Sequence, residues 1–228
     1  MIPEHYSRDI VKRCQSLLGN LAPKIKAGLP GDAQFGGTLQ TTFLLAMATP
    51  MVALPVERIF KPSRRDTTGD DRELDDEVAS RVAGIFRGEM AFGETPFAGT
   101  SHWSYVPNFP PFNIARRQGW PPELLERLAS EEAAERARTA PASRVLINLR
   151  NALAHGGVTY LDKDGRNADG AAAMFAFTGA RMEGNRIAGL DILRVHQDDF
   201  HLFLMAWAEW LDKSGIAEVL NQKSHLAA

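Results

Sequence analysis

The chain has 228 residues, 44% of them hydrophobic and 24% charged, with a formal net charge of -2. This composition suffices for a sizeable core and excludes the uniformly basic surface that nucleic-acid-binding domains usually present. The single cysteine, Cys14, excludes an intrachain disulfide, and a zinc site would have to rest on histidines and carboxylates.

Met1 to Arg13 lacks the basic head and apolar stretch of a signal peptide. Ser7 is placed to cap a first helix in which Ile10, Cys14, Leu17, Leu18, Leu21 and Ile25 recur at steps of three and four, with Pro23 as a kink or an end. Gly28-Leu29-Pro30-Gly31 is a break, and a second helix is predicted from near Thr38, interrupted around Pro50. The most apolar run, Phe43 to Val56, holds Pro50 and Pro55 and is shorter than the roughly 20 residues of a membrane span, so it predicts a buried segment, no membrane partner and a cytoplasmic location. Lys61 to Asp71 reads as a charged loop, and a third helix is predicted from about Arg72 to Arg87.

Phe92 to Trp120 is rich in proline, glycine and aromatics, and Trp103, Tyr105, Phe109 and Phe112 follow neither a helical nor a strand period. It reads as an irregular stretch packed over the core or a partner. Glu123 to Arg138 predicts a charged, exposed helix, and Pro141 suits the first turn of the next. After His155, strands are predicted at Val158 to Leu161, Ala173 to Phe177 and Arg186 to Val195, with turns at Asp164-Gly165 and Glu183-Gly184-Asn185. A last helix begins near Asp198, with Phe200, Phe203, Leu204, Trp207 and Leu211 as its apolar stripe. With no repeat or linker in view, the expectation is one mainly α domain over 1–228: a helical bundle with a small antiparallel sheet inserted at about 157–195 between the last helices.

The chemistry concentrates on the helix around Arg144 to His155. On a helical wheel Val145, Leu146, Leu149 and Leu153 fall on one side, while Arg144, Asn148, Asn151 and His155 line up opposite. Arg150 lies on the shoulder, where its side chain can pass Ala154 toward His155, and Gly156-Gly157 ends the helix with no side chain to cover the imidazole. Helix geometry thus gathers a cation, an amide and an imidazole at one helix end. A purely structural capped helix is the bland alternative, because histidine is favoured near a helix C-terminus.

Leu149-Arg150-Asn151-Ala152-Leu153-Ala154-His155-Gly156 resembles the signature of the HEPN superfamily, an arginine followed by a polar residue and then, after four to six intervening positions, a histidine. The resemblance implies a HEPN-like bundle acting as a metal-independent endoribonuclease, with Arg150, Asn151 and His155 as the catalytic residues. It further implies an RNA substrate, a homodimer whose two motifs meet across a two-fold axis, and a toxin or defence role with a cognate antitoxin protein. No cofactor or metal is expected. The residue types suit metal-free RNA cleavage: histidine exchanges protons near neutral pH, and arginine holds a phosphate and offsets its developing charge. A non-catalytic RNA- or protein-binding module with the same motif is the alternative. The tyrosine that follows the histidine by two places in members regulated by adenylylation is here Gly157, so that control is not expected.

Other groups read as structural. Asp70 to Glu77 carries acids where a loop meets a helix N-terminus, and His196 and His201 lack the spacing of a zinc pair. Asp162 to Gly165 is a turn, and Arg64-Arg65 and Arg116-Arg117 are solvated charges that a nucleic-acid groove would have to recruit.

Overall fold

The computed structural model describes residues 6–57, 90–115, 119–168 and 171–214. The helix expected over 72–87, the acids of 70–77 and the arginine pairs at 64–65 and 116–117 lie outside the described residues.

Helix α1 spans Tyr6–Ala27 and contains Pro23 without ending there. Its start puts Ser7 inside the helix rather than at the cap. Val11, Cys14, Leu18, Ala22 and Ile25 are buried, whereas Leu17 is 42% exposed, so the buried stripe is rotated from the one predicted. Helix α2, Gln40–Ala48, runs into a π-turn at Thr49–Ala53 and a further helical turn at 54–57. The wider turn accommodates Pro50. Pro55 has no N–H to give the Met51 carbonyl four residues earlier, and the buried Trp207 indole donates to that carbonyl instead, at 2.7 Å.

The segment from 92 to 120 is not irregular throughout. It holds strand β1, Trp103–Phe109, in which Trp103 and Tyr105 face one core before Pro107 and Asn108 (φ 52°) interrupt the alternation. The register against the neighbouring strand shifts between Val106 and Phe109. That bulge is why no period of two is legible there. The stretch predicted as one exposed helix is two: α3, Pro122–Ala129, and α4, Glu131–Thr139. Ser130 breaks between them and caps the second through its hydroxyl, which accepts from the Ala133 N–H. Leu124, Leu128, Ala133 and Ala137 are buried, so the pair packs rather than floats.

Helix α5 is Ala142–His155, followed by β2, Val158–Leu161, β3, Met174–Glu183, and β4, Arg186–His196. Helix α6, Gln197–Lys213, buries the expected stripe from Phe200 to Leu211. The four strands form one antiparallel sheet in the order β1-β4-β3-β2. Tyr105 sits opposite Leu193, Leu193 opposite Phe177, and Phe177 opposite Val158.

The expectation of a mainly α bundle with an inserted sheet is therefore wrong: the fold is mixed α/β and the sheet is central. One edge strand, β1, comes from well before α5, so the sheet is not confined to 157–195. Each face of the sheet belongs to a separate core. Trp103, Tyr105, Phe175, Phe177, Leu193 and Val195 pack with α1, α2, α5 and α6 around Phe200, Phe203 and Trp207. The opposite face packs Val106, Ala176, Leu190 and Ile192 against Trp120 and the leucines of α3. Each fully buried leucine or phenylalanine contributes about 1.5–3 kcal/mol of transfer free energy. Burial of this sheet on both faces thus makes it a foundation of the fold. Among the described residues, no helix is long and apolar enough to cross a membrane.

Candidate functional site

Helix α5 lies between the sheet and the segment 49–57. Val145, Leu146, Leu149 and Ala152 are fully enclosed. The line opposite them is polar, but it does not simply face water. Asn148 is 5% exposed, and its amide donates to the backbone carbonyls of Phe177 (3.3 Å) and Asp191 (3.1 Å). One turn earlier, the Arg144 Nε and Nη2 donate to the Asp191 carboxylate at 3.2 and 3.1 Å. The polar line thus starts as the seam that fixes the helix to β3 and β4. The wheel showed the line but could not show a sheet covering it.

Glycine makes the seam possible. A Cβ at Gly179 would lie 1.9 Å from the Asn148 Oδ1, and one at Gly157 would lie 2.3 Å from the Thr178 carbonyl oxygen. Gly156, at φ 73°, ends α5 in the left-handed conformation, and the Gly157 N–H reaches back to the Ala152 carbonyl at 2.8 Å. The helix therefore stops at His155.

Asn151 and His155 continue the polar line beyond the seam. Asn151 is half-buried and His155 exposed. Four residues of helix separate them, a rise of about 6 Å. The Arg150 guanidinium turns toward Asn151: Nη1 donates to the Asn151 Oδ1 at 2.7 Å, and Nη2 pairs with the Glu57 carboxylate. The structure therefore brings Arg150 and Asn151 into contact. His155 is not hydrogen-bonded to either, and no hydrogen bond or ion pair among the described residues engages its ring. Glu57 carried no signal in the sequence, since it follows an apolar run some ninety residues before its partner.

A groove of about 450 Å³ opens beside this line, between α5 and the outer half of β3. Arg144, Ile147 and Asn151 form its helical wall, and Arg181 and Asp191 its strand wall. Burial opposes the Arg144 cation, but Tyr105 and Asp191 beside it outweigh that and raise its pKa. Burial, and after it the Asp191 charge, push the Tyr105 hydroxyl well above its ordinary range and keep it protonated. Arg181 is exposed and has no hydrogen bond or ion pair among the described residues. Sequence reasoning missed Arg181, because it ended the middle strand at Phe177, and it missed Asp191, which it placed in the last strand without the helix residue that it pairs with.

No protein-family model, curated protein or solved structure matches the chain. The chemistry rests on the residues themselves: an open imidazole at a helix end, a guanidinium and an amide locked together one turn below it, and a groove with donors along its wall. Among the described residues no cluster of three metal-ligating side chains occurs. Asp198 instead pairs with Lys26 at 2.7 Å, and the His102 Nδ1 lies 3.6 Å from the Asp199 Oδ1. The Asp162 Oδ1 accepts from the Asp164 and Arg166 N–H groups, as a turn-forming aspartate does.

Proposed function

We propose that this chain is a metal-independent endoribonuclease acting as a homodimer, with Arg150, Asn151 and His155 as its site. The observation that carries the reading is the exposed His155 imidazole one turn beyond the Arg150–Asn151 pair. In the reaction, the substrate's 2′-oxygen attacks the adjacent phosphorus while the bond from phosphorus to the 5′-oxygen breaks. The products are a 2′,3′-cyclic phosphate and a 5′-hydroxyl. One proton leaves the 2′-hydroxyl and one must reach the leaving 5′-oxygen. Histidine is the side chain suited to both transfers near neutral pH, but a single imidazole holds only one proton for exchange at a time. A second copy of the motif across a two-fold axis supplies the other imidazole, which is the chemical case for the dimer. Arg150 keeps N–H donors beyond those given to Asn151 and Glu57, and these suit the phosphate oxygens as charge builds on them. Asn151 orients the guanidinium by accepting from it. The setting we propose is a toxin or defence role, with a cognate antitoxin as protein partner.

The Glu57 carboxylate favours a second reading. It offsets the Arg150 charge, which suits a non-catalytic RNA- or protein-binding module that keeps the motif for contact. RNA cleavage in the presence of EDTA separates the two. The nuclease yields 2′,3′-cyclic phosphate ends that disappear with His155→Ala. The binding module retains RNA without cutting it.

A further inference from the structure

The groove beside α5 begins at Asn151, one turn from His155, and runs away from the helix end toward Arg144 and Arg181. Its volume of about 450 Å³ falls in the range of small-ligand sites, enough for about one nucleotide. Its electrostatics are asymmetric. Arg144 and Asp191 neutralise each other across 3.1 Å. The Asp191 Oδ1 also accepts from the Asn108 N–H at 2.8 Å, so this carboxylate is already occupied. Among the described residues, Arg181 is left as the uncompensated charge on the wall. The Asn151 Oδ1 accepts from Arg150, and its amide nitrogen, with no hydrogen bond among the described residues, remains a donor. Ile147 supplies an apolar patch between the polar positions. Donors, an apolar strip and a cation without a partner among the described residues suit a phosphodiester with its sugar, and disfavour a cation or a plain hydrocarbon.

We infer that this groove holds the backbone of single-stranded RNA next to the cleaved bond, with Arg181 and Asn151 on the phosphate and Ile147 against the sugar or base. The inference rests on reading His155 as the reacting end of the site. It adds the direction in which the strand leaves and a residue, Arg181, that lies outside the motif. A phosphate-bearing ligand could also be a free nucleotide, so the test carries both.

Binding is measured by fluorescence anisotropy with a labelled ten-nucleotide single-stranded RNA, using full-length His155→Ala protein so that no cleavage occurs. Adding Arg181→Ala should weaken binding about tenfold, the loss of one charge-assisted contact. The slope of log affinity against log salt should fall by about 0.7, as for one single-strand phosphate contact. Arg186→Ala removes an equal charge on the same hairpin, outside the groove, and should stay within about twofold. Ser143, in the first turn of α5, also lines the groove, so Ser143→Trp fills it without changing its charge and should also weaken RNA binding. Circular dichroism on each variant confirms folding, which these exposed or half-buried positions should preserve. Equal losses from Arg181→Ala and Arg186→Ala would overturn the groove, since diffuse attraction would then explain binding. So would unaffected binding with Ser143→Trp, or no RNA binding at all. A ribonucleoside 5′-monophosphate that binds as tightly as the RNA would overturn the strand path in favour of a nucleotide pocket. Wild-type protein that binds RNA through Arg181 yet never cuts it would keep the groove and remove the nuclease. Cleavage that ignores Arg181→Ala would do the reverse.

Discussion

The contact between Gly179 and Asn148 sets where α5 sits on the sheet, and Gly179→Ala tests it. The added Cβ would stand 1.9 Å from the Asn148 Oδ1 and 3.1 Å from its Cγ. Because Asn148 is buried between α5 and β3, it cannot swing into water without moving the helix. Overpacking of this kind costs about 1–3 kcal/mol. If the amide is expelled, its bonds to the Phe177 and Asp191 carbonyls are lost as well, at about 0.5–1.5 kcal/mol each. The expected total is therefore about 2–6 kcal/mol. Asn148→Ala alone should cost about 1–3 kcal/mol, because it loses the same bonds without a clash. Combined, the two changes should be far from additive: with the amide gone the Cβ has room, and the double variant should be no less stable than Asn148→Ala by more than about 1 kcal/mol. Urea unfolding of all three, followed by tryptophan fluorescence, measures the cycle. A Gly179→Ala protein as stable as the parent, or costs that simply add, would refute the seam.

Leu149→Ala should lose about 2–5 kcal/mol, because the residue is fully enclosed, while Arg150→Ala, partly exposed, should lose under about 1 kcal/mol by the same unfolding assay. Trp207→Phe removes the indole donor from the Met51 carbonyl, where Pro55 offers no substitute, and should cost about 1–3 kcal/mol with a loss of α2 protection in amide exchange. Burial lowers the pKa of His201 from its ordinary 6.5, so the unfolded chain takes up the proton first as pH falls. Its contribution to stability is present in full above that value and declines as pH drops below it, and His201→Gln should flatten the urea midpoint between about pH 7 and 5. An unchanged slope would remove His201 from the acid response.

The elements with an unbroken period were legible. The stripe of α6, the position of β2 and β4, and the stop at Gly156 all follow from spacing and turn residues. The central sheet was not, because its outer strand β1 carries Pro107 and a bulge at Asn108 that erase the alternation on which strand reading depends. Without β1 the remaining strands looked like an insertion into a bundle. β3 was read too short for a similar reason: from Thr178 to Arg181 it follows the needs of α5, with Gly179 bare so that Asn148 fits. At the site, the wheel aligned Asn151 and His155 correctly as positions on one side of a helix. It sent Arg150 toward His155, whereas the guanidinium pairs with Glu57, a partner distant in sequence that no local pattern reveals.

Cleavage of single-stranded RNA in EDTA by the wild-type protein and by His155→Ala, with unfolding recorded on both samples, tests the central claim most directly. Wild-type protein should generate 2′,3′-cyclic phosphate ends. The variant should be slower by about a hundred- to ten-thousandfold, with its stability changed by less than about 0.5 kcal/mol, since His155 is exposed and touches no described partner. A His155→Ala protein that cuts RNA at the wild-type rate, or a wild-type protein that cuts only after Mg²⁺ is added, would contradict the account.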